Sequence, residues 1–489
     1  MRSRTVRPVR RREQEKQNRK KSRNRLGDTQ PLKLSGYQER GRALSDTRPM
    51  RPVSIRSGYA GYQKVIDKRR QVVRTPKPLP DSRPDRSARP AKAKRQNSIA
   101  ALIARSRKRA ANEQYFDFDL LLVIVFLMCF GLVMLYSVSA YEAQADLGDD
   151  MYYFSKQALI GAAGVAVMFI VSKIDYHMYG AFAFEIYILA MIMMGLVKTP
   201  LGVELNGARR WIGLPGNLTL QPAEITKIAV ILFISYELCR LGKKAYTMEG
   251  MIRVFAFGAV ASGGVLFLTD NLSTAIIVMA ITCILIFIVH PKTKPFLVFV
   301  GVGAAVAAVG IFILSMAVAS GGMDSENFRL RRIISWLNPE ATADSGSFQV
   351  MQGLYAIGSG GFFGKGLGNS TQKLGVIPEA QNDMILVVIC EELGVFGAIL
   401  ILVLFGILLY RLMFIAKNAP DLYGSLIATG IFAHIALQVI LNIAVVTGML
   451  PTTGITLPFI SYGGTAVMFL MAEMGVALGI SRRIKLEGE

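Results

Sequence analysis

The chain has 489 residues, 52% of them hydrophobic, and a net charge of +22 at pH 7. Apolar runs long enough for a helix to cross about 30 Å of hydrocarbon recur along it, which excludes a soluble globular domain and predicts a polytopic membrane protein. Residues 1–110 hold 34 Lys and Arg against 8 Asp and Glu, so the positive charge belongs to the tail and the remainder is slightly acidic.

The tail is rich in Pro, Ser, Gln and Arg and poor in large apolar residues. Such a composition does not repay the entropy of folding, so residues 1–115 are predicted to be a disordered polybasic tail. No cleavable leader precedes the first span, and the tail is expected to be retained. Its Lys and Arg suit anionic lipid headgroups and fix orientation, with Ser98–Arg109 readable as a short interfacial helix. Without a folded module to enter a groove it is not read as a nucleic-acid binder.

From residue 116 onward we count ten spans, near 120–140, 153–172, 179–197, 221–239, 251–268, 271–289, 296–319, 385–412, 424–449 and 459–480. Backbone amides in lipid need internal partners, so the fold class is an all-α bundle of ten transmembrane helices. The basic tail sets the N-terminus in the cytoplasm, and ten spans return the C-terminus there. Loops 198–220, 320–384 and 450–458 are then extracytoplasmic, the long one lying between helices seven and eight. Thr269-Asp270-Asn271 is a tight turn between spans five and six. Cys129, Cys239, Cys283 and Cys390 lie in or at the ends of spans and are read as packing residues.

Candidate chemistry collects at the outer ends. Arg209 and Arg210, beside Trp211, are adjacent guanidiniums able to grip a pyrophosphate or to anchor headgroups. Glu224 and Lys227 are i,i+3 neighbours at the start of span four, read either as a structural ion pair or as a substrate-facing cluster. Glu185, Glu391, Glu392 and Glu473 are expected to pair within the bundle, and His434 to be a hydrogen-bonded packing residue. The long loop carries Gln349, the cations Arg329, Arg331, Arg332, Lys365 and Lys373, and ends in Ile377-Pro378-Glu379-Ala380-Gln381-Asn382-Asp383. Gly358–Gly366 does not have phosphate-loop spacing; its glycines are read as allowing sharp turns and close packing. An acid at a membrane mouth beside cations suits a lipid-anchored anionic substrate, although Asp383 also reads as a cap for the helix that follows.

The order NGARRWI (206–212), QPAEITK (221–227), FQVMQGLYAIGSGGFFGKGLGNSTQKL (348–374), IPEAQND (377–383), ICEELG (389–394) and LPFISYGGT (457–465) resembles the SEDS family of wall-synthesis proteins, which includes FtsW, RodA and their sporulation relative. The wording of 366–374 and 391–394 is nearest the division and sporulation branch. The resemblance implies a peptidoglycan glycosyltransferase that polymerises lipid II at the outer face of the bacterial cytoplasmic membrane, at the division septum. It further implies a class B penicillin-binding protein and other divisome proteins as partners. The family's essential aspartate falls on Asp383, expected to be the general base, with Arg209, Arg210, Lys365 or Lys373 holding the leaving diphosphate. A divalent cation, Mg2+ or Mn2+, bridging Asp383 and the diphosphate is the one cofactor left open. Two departures stand out: Gln381-Asn382 replace the usual His-Thr before the aspartate, and Asn271 occupies a family Asp position. A flippase or transporter and a non-catalytic division scaffold are the alternative functions.

Overall fold

The computed structural model describes residues 115–485 except 206–207, 215–217, 292–293, 320–327, 339–347 and 375–376. The tail and the Ser98–Arg109 segment lie outside the described residues. Those described fall within one compact unit, Arg89–Glu489.

The expected helices are present. They are α1 (Phe118–Leu147), α2 (Tyr152–Lys173), α3 (Tyr176–Ala181), α4 (Ala183–Leu196), α5 (Pro222–Leu241), α6 (Met248–Leu268), α7 (Leu272–Val289) and α8 (Lys294–Ala319). After the outer-loop helices α9 (Phe328–Leu337) and α10 (Phe348–Gly360) come α11 (Ile385–Asn418), α12 (Leu422–Val446) and α13 (Thr465–Ser481). Six of them, α1, α2, α6, α7, α11 and α12, are long and apolar enough to cross a membrane. The chain is therefore a multi-pass helical membrane protein.

Polar caps delimit the apolar runs. Asp117, Thr247, Asn271 and Asp421 accept from backbone amides in the first turns of α1, α6, α7 and α12, satisfying donors that lipid leaves exposed. Gly148 ends α1 in the left-handed region, returning its amide to Gln144 O. At the same end as Asp117, Arg411 of α11 forks onto that carboxylate at 2.8–3.1 Å, tying the first helix to the eleventh. Apolar faces of α1, α2, α5, α7, α11, α12 and α13 supply most of the buried core.

Four features differ from expectation. The span expected over 179–197 breaks at Phe182 into α3 and α4. Residues 198–220 fold into an antiparallel sheet of β1 (Gly202–Leu205), β2 (Ala208–Leu214) and β3 (Leu218–Leu220), in the order β1-β2-β3. The span expected from 459 begins only at Thr465, because 450–464 is an irregular segment packed under α1. There Gly131 has no room for a side chain: a Cβ would stand 2.7 Å from Ile460 Cα. Finally, α11 is broken at Gly394 (φ 66°, ψ −159°), a conformation open to glycine and costly to other residues.

Candidate active site

The segment 377–383 alternates anchors and polar groups. Ile377, Ala380 and the following Met384 are buried to 3% exposure or less, holding the chain down while Glu379, Asn382 and Asp383 stay accessible. Asn382 N donates to Glu379 O, closing a turn in which Glu379 takes φ 49°, a strained value for a residue with a Cβ. Four elements grip this turn. Gln349 Nε2 of α10 donates to Pro378 O (3.1 Å), and Tyr462 N donates to Gln381 O (2.9 Å). Glu142 of α1 bonds the Gln381 side chain. Asn442 Nδ2 of α12 donates to both Asp383 O (2.9 Å) and Ile455 O (2.8 Å).

Asp383 is thus fixed through its backbone, and its carboxylate remains half-buried at the head of α11. Met384 occupies the cap position of that helix and makes no side-chain cap, so the capping alternative is not what the local geometry displays. Burial pushes the Asp383 carboxyl up to about 6; Glu379 adds to the rise, while its own amide and Arg332 oppose it. Arg332 arrives on α9, whose Trp336 Nε1 donates to Gly448 O (2.9 Å) and whose Arg332 Nη1 donates to Thr452 O (3.1 Å). Burial lowers the affinity of this guanidinium for its proton, and the charge of Asp383 restores only part of the loss.

Lys365 and Lys373 lie elsewhere. Their ammonium groups meet Glu391 at 2.6 Å and Glu392 at 2.7 Å, two carboxylates with no exposed surface on α11. Eight residues separate Asp383 from Glu391, a rise of about 12 Å along a helix. The two candidate lysines and the candidate base therefore belong to distinct clusters.

Arg209 and Arg210 diverge. The β1–β2 ladder is irregular between Val203 and Glu204, and Arg210 lies between the paired residues Arg209 and Trp211, where a bulge re-aims a side chain. Arg209 donates to the carbonyls of Thr199 and Gly202, while Arg210 donates to Asp270 O at 3.1 Å. Asp270 itself, at φ 51°, pairs with Lys198 at 2.9 Å, and Asn271 is the cap of α7. Glu224 and Lys227 form the expected pair at 2.9 Å, both nearly buried, with Lys227 Nζ 3.5 Å from Gln438 Oε1. Glu473 pairs with His434 at 2.8 Å, so both behave as packing partners inside the bundle.

Sequence reasoning named Arg332 among the loop cations but gave it no role; it met Glu379 and Gln381 only within the 377–383 motif, and it passed over Glu142 and Asn442. A signal existed for Arg332: Leu330, Ile333, Ile334 and Leu337 recur at i, i+3, i+4 and i+7, marking an amphipathic helix that would dock and carry its arginines with it. Nothing local marks Asn442, whose partners come from segments on either side of it.

Residues 118–486 match the sequence model of the FtsW/RodA/SpoVE family, described as a cell cycle protein. Stage V sporulation protein E of Bacillus subtilis is 38% identical over 370 residues, covering 74% of this chain and 97% of that one. The protein named "Probable peptidoglycan glycosyltransferase FtsW" of Trichlorobacter lovleyi is 36% identical over 372 residues, covering 76% and 94%. A solved chain from a peptidoglycan synthase complex superposes with a TM-score of 0.61 at 24% identity, covering 75% of this chain and 98% of that chain. The rod shape determining protein RodA of Thermus thermophilus gives 0.53 at 24% identity over 76% and 98%, and both likenesses are of fold. Matched over most of its length and by relatives above 30% identity, the chain belongs to the FtsW/RodA/SpoVE family of cell cycle proteins.

Proposed function

We propose that this chain is a peptidoglycan glycosyltransferase that polymerises lipid II, with Asp383 as its general base. The observation that carries the base assignment is a half-buried carboxyl, fixed through its backbone by Asn442 and raised to about 6. A base is most effective when its pKa lies near the working pH, and few other side-chain partners compete for this one.

The reaction is one inverting displacement. The 4-hydroxyl of a GlcNAc attacks the anomeric carbon of a MurNAc, its proton passes to a carboxylate oxygen of Asp383, and the bond to undecaprenyl diphosphate breaks, turning α linkage into β-1,4. The charge left on the diphosphate calls for a cation, and Arg332 is the guanidinium that shares a field with Asp383. Among the described residues no three His, Cys, Asp or Glu gather into a metal site. Mg2+ is commonly held by one or two carboxylates with substrate phosphates completing its shell, so Asp383 and Glu379 are the residues that would hold it here, lending Lewis acidity toward the diphosphate. No step above runs through a metal.

In this reading the chain crosses the membrane ten times with both termini cytoplasmic, so that the Asp383 turn opens outward. A class B penicillin-binding protein cross-links the product at the division septum, with other divisome proteins. The reading is supported by the expected positions of the apolar helices and by family membership. Purified protein supplied with lipid II tests it: Asp383→Ala should retain its fold and make no glycan. Unchanged strand length and rate would remove Asp383 as base, and translocation without polymer by the native chain would favour a transporter.

A further inference from the structure

We propose that Glu391, Glu392, Lys365 and Lys373 form a latch that stitches loop 361–374 into the break of α11 and so positions Asp383, neither lysine touching substrate. The proposal rests on Asp383 being the base.

The break at Gly394 removes two hydrogen bonds that a continuous helix would make, from Val395 N to Glu391 O and from Phe396 N to Glu392 O. The loop replaces them with four. Lys365 N and Gly366 N donate to the carbonyls of Glu391 and Glu392, each at 2.9 Å. Val395 N and Phe396 N donate to Gly361 O (3.0 Å) and Phe362 O (3.1 Å). Every backbone group freed by the break is thereby satisfied, as a bilayer-embedded helix requires. The approach tolerates no side chain: a Cβ on Gly364 would stand 2.1 Å from Glu392 O, and one on Gly394 2.4 Å from Gly364 N.

Side chains lock the same contact. Glu391 accepts from Lys365 Nζ (2.6 Å), Thr371 Oγ1 (3.0 Å) and Ser370 Oγ. Glu392 accepts from Lys373 Nζ (2.7 Å) and from Ser137 Oγ of α1 (2.7 Å), and Lys373 Nζ lies 3.2 Å from Ser137 Oγ. Two buried carboxylates and two ammonium groups cancel. Drawing either lysine toward a diphosphate would strand a carboxylate without compensation. From Lys373 the chain runs through 374–382 to Asp383, and α11 starts at Ile385 just beyond it. Both approaches to the base are therefore referenced to the same pair of glutamates.

The test is steady-state polymerisation of lipid II by the purified full-length chain, with unfolding temperature measured in parallel. Lys373→Met leaves Glu392 unpaired and should lower kcat about 100-fold, the scale of a small misplacement, with KM for lipid II unchanged. Adding Glu392→Gln removes the stranded charge and should restore kcat to within about five-fold of the native chain. A double variant that folds but recovers no kcat over Lys373→Met, with KM for lipid II raised, would overturn the latch and make Lys373 a substrate contact. If the double variant does not fold, Gly364→Ala decides: it alters no charge, should lower kcat at constant KM, and overturns the proposal if kcat stays native. Asp383→Asn is run alongside. Native activity in that variant defeats the base assignment alone, whereas an inactive Asp383→Asn beside a failed rescue defeats the latch alone.

Discussion

Asp383 and the Glu391–Glu392 pair sit within about three helical turns of one another, yet their carboxylates live in opposite conditions. Glu391 and Glu392 have no exposed surface and are filled with donors: two ammonium groups, four hydroxyls and loop amides. Asp383 is half-buried, its backbone is tied by Asn442, and its carboxyl is raised by burial rather than held down by a close cation. A saturated carboxylate has no free lone pair with which to take a proton. An under-partnered one, held in place from behind, keeps its basicity available.

The widest separation between the two regions should come from removing charge at each. Asp383→Asn preserves shape and is expected to lower polymerisation by about 10²- to 10⁴-fold, the usual contribution of a positioned base, with an unfolding temperature no lower than native. Glu392→Ala acts the other way. It strands Lys373 in the bundle and should cost about 3–5 kcal/mol of stability, seen as a lower unfolding temperature in detergent. Equal thermal loss in both variants would erase the distinction.

Much of this architecture is legible in the chain because lipid simplifies the code. Helix occupies the apolar segments, although 179–197 is split at Phe182 and the last helix starts only at Thr465, and the Thr269–Asn271 turn falls where charge interrupts hydrophobicity. The breaks are not legible. The stretch after Ile385 reads as one continuous span despite Glu391 and Glu392, and the positive φ of Gly394 shows only when loop 361–366 arrives to take the freed amides. Residues 198–220 are too short and polar to betray a sheet by periodicity. At the site, Asp383 was visible through its motif, whereas the partners of Lys365 and Lys373 depended on a fold that brings distant glutamates beneath them.

Smaller effects sharpen the comparison at Asp383. The group must be ionised to act, so kcat/KM should fall on the acid side through about pH 6. Arg332→Gln removes a charge that favours the ionised form. The acid limb should then move to higher pH, measurable in a pH–rate profile, while a variant at Lys365 leaves the limb in place. Asn442→Leu deletes the donor to Asp383 O and Ile455 O, and a loss of about 10-fold in kcat at constant KM is expected for a loosened base.

The smallest effect concerns stability and has a definite sign. A carboxyl whose pKa is raised on folding binds its proton more tightly in the native state than in the unfolded one, so stability declines as pH rises between the ordinary value of 3.8 and about 6. At neutral pH the native chain carries that full penalty, on the order of 1 kcal/mol for a group still partly open to solvent. Asp383→Asn relieves it. The variant should unfold a few degrees above the native chain at pH 7, with the gap closing as pH is lowered from 6 toward 4. Glu391 and Glu392, matched by ammonium groups, should give no such gain when replaced by Gln. A stabilising Asp383→Asn beside destabilising Glu391→Gln and Glu392→Gln would show that the fold tolerates strain at the base and nowhere else along this stretch of α11.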